Sequence, residues 1–147
     1  VELFIKFITV AGLGIIELWA AIPMGTALKL HPLLNGTASA LGAVIGAVLV
    51  IVLGDRLRNW LLKRRGRGKE QEKKGQIYRI WDKYGVIGLG MLSPLLTGAP
   101  LGAAIGISLG ASPGRLIFWM SFGILIWTII LTIISTLGFE WFQLLKR

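Results

Sequence analysis

Glu17 stands within Leu-Gly-Ile-Ile-Glu-Leu-Trp-Ala-Ala-Ile at 13–22, the most apolar setting of any acid in the chain. A carboxylate among hydrocarbon side chains is costly. It must face a cavity, pair with a cation or keep its proton. Each case suits a proton carrier or the partner of a cationic ligand. The plainer alternatives are a structural ion pair or a carboxyl that caps a broken helix. Lys29 is the nearest candidate cation, with snorkelling to a surface as its plainer role. Pro23, Gly25 and Thr26 interrupt the apolar stretch just beyond Glu17, and Ser93, Pro94, Thr97, Gly98, Pro100 and Gly102 interrupt a second one. Proline removes an amide donor and stops or kinks a helix, so hydroxyls and freed amides at both places can line a polar site.

The remaining charges sit at the ends of apolar runs. Asp55 and Arg56 close one and Arg115 opens another, as anchors at a boundary or as charges along a pathway. His31 precedes Pro32 and reads as an interfacial turn residue. The chain has no cysteine and one histidine, so no metal centre built on thiolates or a histidine cluster is expected. It lacks the phosphate-binding Gly-x-x-x-x-Gly-Lys-Ser/Thr loop, the Gly-x-Ser-x-Gly elbow and His-Glu-x-x-His. Neither an ATP motor nor a hydrolase is expected, and no cofactor.

These residues need elements to hold them, and composition says of what kind. Of 147 residues, 54% are hydrophobic and 16% charged, with a mean hydropathy of +0.73. A soluble domain of this size leaves too much surface exposed to hide that apolar content. The expectation is an all-α integral membrane protein. No basic n-region with a small-residue cleavage site precedes the first apolar run, so no signal peptide is expected. The net charge of +9 is concentrated: residues 55–83 carry eleven Lys/Arg against four Asp/Glu. Such a block could bind nucleic acid. In an apolar chain it reads better as a cytoplasmic loop held by the positive-inside rule, with Trp60, Tyr78, Trp81 and Tyr84 as interfacial aromatics, Arg64, Arg65 and Arg67 near anionic lipid, and no nucleic-acid partner.

Residues 34–54 and 115–139 are each long enough to span a bilayer. Residues 84–114 are uncharged over 31 positions, about 46 Å as a helix and too long for one straight span. Breaks at Ser93-Pro94 and Gly98-Ala99-Pro100 leave two half-length limbs, which suggest a re-entrant hairpin; kinked full spans are the alternative. Residues 3–30 repeat the design, with the break expected at 20–25. Pro23 falls on Pro100, Gly25 on Gly102 and Gly46 on Gly123, a spacing of 77. Paired interruptions of this kind mark inverted-repeat transporters. The expected organisation is a first repeat over 1–54, the basic loop over 55–83 and a second repeat over 84–147, each repeat a hairpin (3–30 or 84–114) plus a spanning helix. Gly98, Gly102, Gly106 and Gly110 recur every fourth residue, and Gly42 and Gly46 form a shorter stripe. Faces without side chains let helices approach closely in lipid, or else line a substrate groove.

Glu17 followed by Pro23-Met-Gly25, a small-residue first span, a basic loop, Lys83-Tyr-Gly85, Pro94-Leu-Leu-Thr-Gly-Ala99 and a final span together resemble the bacterial and archaeal small multidrug export proteins. More distantly they resemble the DedA/VTT membrane proteins. The resemblance covers nearly the whole chain and implies paired re-entrant loops, spanning helices and membrane transport. DedA-like members are associated with proton-dependent transport and with lipid or polyprenyl-phosphate translocation. Their second re-entrant motif usually carries arginines, and residues 93–102 contain none, which weakens recognition of a phosphate headgroup. The leading expectation is a small transporter in the inner membrane of a prokaryote, coupling protons through Glu17 to export of small amphiphilic or cationic compounds. A lipid flippase or scramblase is the alternative within transport, and a non-transporting scaffold the alternative outside it. Membrane lipids and a homo-oligomeric partner are the expected company.

Overall fold

A computed structural model describes residues 1–65 and 84–145. Among them are six helices: α1 Glu2–Ile16, α2 Leu18–Ala27, α3 Pro32–Arg65, α4 Val86–Leu96, α5 Ala99–Ser108 and α6 Pro113–Leu145. Residues 55–65 are the last turns of α3, not loop. The rest of the expected basic loop, 66–83, lies outside the described residues.

Two helices have the length and composition to cross a membrane, Pro32–Trp60 and Pro113–Phe142. The apolar window of the second is only 22% buried within the protein, and Leu125, Ile129, Ile133 and Ile134 all stand exposed on α6. A soluble protein hides such a helix, whereas lipid is a suitable solvent for it.

The contacts around glycine fix how the short helices run. A Cβ on Gly42 would strike the Ala11 carbonyl, and one on Gly46 would strike that of Ile15. Both α1 and α3 advance four residues between these contacts, so they run parallel with backbones touching. At the other end of α2, Asn35 near the start of α3 bonds Ile22 and Thr26. Glu17, just before α2, follows the Ile15 that lies against Gly46, and Thr26, near the end of α2, lies against Asn35. Thus α2 runs back antiparallel to α3. The second half does the same. Gly90 lies against Trp119 and Gly123 against Gly90, so α4 and α6 touch backbone to backbone, and they are parallel because α5 runs antiparallel to both. Gly102 lies against Ser93 and Met120, and Gly106 against Leu89 and Leu116, so α5 runs back. The two long helices are antiparallel: Gly36 faces Thr128 and Thr132, while at the far end Gly54 meets Ile107 in the helix before α6.

The two halves match at a spacing of 81, not 77. Glu17 precedes α2 as Gly98 precedes α5, both helices are 10 residues long, and Pro32 and Pro113 open the long helices. The ends of α2 and α5 are the same motif. Leu30 N–H donates to Gly25 O at 3.0 Å and Lys29 N–H to Thr26 O at 3.0 Å. Ala111 N–H donates to Gly106 O at 2.9 Å and Gly110 N–H to Ile107 O at 3.0 Å. This is a paired closure of the last carbonyls around a left-handed residue, here Lys29 at φ 58° and Gly110 at φ 90°.

Three sequence expectations change. The first break falls at Glu17, and Pro23 lies inside α2. The second falls at Thr97-Gly98, and α4 continues through Ser93-Pro94. A proline interrupts one hydrogen bond without ending a helix that its neighbours hold: Trp127 Nε1 donates to Met91 O at 2.6 Å, next to the carbonyl that Pro94 leaves unbonded, and ties this turn of α4 to α6. Pro100 is tolerated because the first helical residues need no acceptor. Finally, the every-fourth glycines are not one packing face. Gly98 lies in the break, Gly102 and Gly106 pack, Gly110 ends a helix, and Gly114 has open space.

Candidate functional site

The two breaks meet. Helix α1 ends because Glu17 takes an extended conformation, φ −150° and ψ 111°. Its N–H still donates to Leu13 O at 2.8 Å, and its own carbonyl receives Ala21 N–H at 3.2 Å. Its side chain projects to Gly98. A Cβ on Gly98 would lie 3.1 and 3.2 Å from the two carboxylate oxygens. Gly98 also has φ 79° and ψ 152°, a conformation open in practice only to glycine. Glycine is thus required here twice, by backbone geometry and by the carboxylate.

Glu17 is half-buried and makes no side-chain cap at the start of α2; α5 also starts without a side-chain cap. Helix starts leave N–H groups unpaired and carry partial positive charge. The junction therefore presents one carboxylate together with two uncapped helix starts. A proton or organic cation can neutralise the first, and ligand acceptors can use the N–H groups. Thr97 places its Oγ1 3.4 Å from Ser93 O and 3.5 Å from Gly98 O. One turn earlier, the Ser93 hydroxyl is buried against Gly102 without a hydrogen-bond partner.

The other candidate charges are elsewhere. Lys29 lies beyond the far end of α2 from Glu17, roughly 15 Å of helix away, and forms no ion pair with it. Asp55, half-buried, accepts from Asn59 Nδ2 at 3.2 Å on the polar end of α3. Arg56 is exposed beside it, and Arg115 is exposed at the start of α6. Among the described residues, no cluster of three or more His, Cys, Asp or Glu could hold a metal ion.

A buried polar network was missed at the sequence level. Asn35, 1% exposed, donates through Nδ2 to Ile22 O at 2.8 Å and to Thr26 Oγ1 at 3.2 Å. Thr26 donates to Ile22 O at 3.1 Å and lies 3.0 Å from Ser135 Oγ, which is then the donor. The network binds α2, α3 and α6 together. Its signal was a lone amide in an uncharged apolar run, where polar side chains are rarely incidental. The sequence reading placed Asn35 at the start of the expected span, 34–54, and gave it no role.

No curated protein and no solved structure matches the chain. A family model described as "Putative small multi-drug export protein" matches residues 17–130. The match runs from Glu17 through both breaks and most of both long helices. With its two apolar spans and the carboxylate at their joined breaks, the chain belongs to this small multidrug export family.

Proposed function

We propose that this protein is a multi-pass transporter of a prokaryotic plasma membrane, exporting small amphiphilic cations in exchange for protons at Glu17. The observation that carries the reading is the contact between Glu17 and Gly98 at the junction of two helical hairpins. We read α1–α2 and α4–α5 as re-entrant hairpins of an inverted repeat, entering from opposite faces. The matched spacing of 81 and the opposed directions of α3 and α6 support this. With the basic segment inside, the first hairpin enters from outside and the second from inside. Non-helical backbone at Glu17 and Gly98 then lies near the midplane, where it is tolerated only inside protein or beside a wet cavity.

One carboxylate cannot hold a proton and an organic cation together. Binding of either displaces the other, which is the minimum requirement for exchange. The uncapped starts of α2 and α5 supply donors to polar atoms of the cargo. The test is flux of a cationic dye in proteoliposomes under an imposed pH gradient. Parent protein is expected to move dye against the proton flow, and Glu17→Gln to lose this. Movement of labelled lipid without dye flux would favour a flippase, and movement of neither a scaffold.

A further inference from the structure

A second site lies about 15 Å of helix from Glu17, at the far end of α2. There a cleft of about 350 Å³ opens between the α2–α3 turn and the last turns of α6. Thr26, Lys29, His31, Thr136, Phe139 and Glu140 line it. Its volume is within the range of small-molecule sites. The Thr26–Ser135 hydrogen bond, 3.0 Å, ties its two walls.

Its charges are unusual in two respects. Lys29 and Glu140 line the same cleft yet form no ion pair, so an ammonium and a carboxylate both face the opening unneutralised. Lys29 also has φ 58°, at the place where the matching helix end has Gly110. A side chain in the left-handed region is strained, and such strain persists where something else requires the residue. Glycine would close this helix end with less strain, as it does at 110. What glycine cannot supply is a cation. His31 adds a donor: its Nδ1 accepts from Leu33 N–H at 3.4 Å, leaving Nε2 to carry the proton of the neutral ring.

We infer that this cleft binds the zwitterionic headgroup of an ethanolamine phospholipid. Lys29 and His31 take the phosphate and Glu140 takes the ammonium. Pro32 begins one apolar span and Glu140 lies in the last turn of the other, so the cleft is at headgroup level. Exposed Leu33, Trp141 and Phe142 surround it with an apolar surface for acyl chains. This is the end of the spans opposite the basic segment, and the assignment does not depend on transport at Glu17.

Native mass spectrometry of the purified chain would test it, with phosphatidylethanolamine, phosphatidylglycerol and phosphatidylcholine added in turn. Phosphatidylethanolamine is expected to be retained best, because phosphatidylglycerol lacks the cation and choline cannot donate to Glu140. Lys29→Gly and Glu140→Gln should each weaken retention at least about fivefold, the loss of one charge-assisted contact. Lys29→Gly should keep or raise the melting temperature, which separates lost binding from lost folding. Equal retention of the three lipids, or unchanged retention in both variants, would overturn the assignment. So would binding of soluble glycerophosphoethanolamine without retention of the lipid.

Discussion

Glu17 and Gly98 occupy matching places in the two halves, each immediately before a ten-residue helix, and the side chain of the first fills the space that the second leaves open. One half contributes the charge and the other the room for it. The site therefore needs both halves, and a change on either side should register on the other.

Gly98→Ala tests that dependence. The substitution forces a side chain into a glycine-only conformation, at a cost of about 1–3 kcal/mol, and pushes it against the Glu17 carboxylate. A lower melting temperature in detergent is expected, with dye flux reduced even at temperatures where the variant stays folded. A variant with parental stability and flux would contradict the contact.

Helix packing gives a second expectation. Gly42→Leu and Gly46→Leu place side chains against the backbone of α1 and should destabilise by about 1–3 kcal/mol or more. Gly12→Leu and Gly138→Leu enter open space and should leave thermal stability within about 0.5 kcal/mol. Equal effects at the two pairs of positions would refute the parallel packing of α1 on α3.

The buried network gives a third. Leu116 stands where Asn35 would be repeated, and each packs against a glycine, Gly106 and Gly25 respectively. Asn35→Leu copies the second half into the first but removes the donor to Ile22 O and Thr26. A loss of about 1–2 kcal/mol is expected, together with easier proteolysis near the α2–α3 turn. Full stability would mean that the amide is dispensable.

Much of this architecture was legible in the sequence, and the failures share a cause. Long runs of Val, Ile and Leu revealed the two spans, and the apolar surroundings of Glu17 marked it out. Prolines misled. Pro23 and Pro94 were read as breaks because proline ends helices in isolation, whereas in the fold their helices continue through them. Aligning Pro23 with Pro100 produced the spacing of 77. The spacing of 81 is carried mainly by backbone geometry: it shows in a few identities such as Pro32 with Pro113, Gly25 with Gly106 and Gly42 with Gly123, while lysine stands in one half where the other has glycine. Asn35 was overlooked because its partners, Ile22, Thr26 and through Thr26 Ser135, are assembled only by the fold.

Topology offers a fourth expectation. Single cysteines at Lys29 and at Lys69 should react with an impermeant maleimide from opposite sides of intact cells or oriented vesicles, Lys29→Cys from outside and Lys69→Cys from inside. Labelling of both from one side would mean that α3 does not cross the membrane between them; Gln143→Cys, expected to label from outside, would label from inside if α4 and α5 formed a kinked full span.

The central claim is proton exchange at Glu17, and dye flux of Glu17→Gln across a pH step measures it most directly. The substitution keeps the shape and removes the titrating group. Glu17→Gln should reconstitute with parental stability, bind the cationic dye more weakly, as followed by tryptophan fluorescence, and show no dependence of flux on the pH gradient; Glu17→Asp should retain part of both. Transport by Glu17→Gln equal to that of the parent at every pH would contradict the account and leave Glu17 a structural residue.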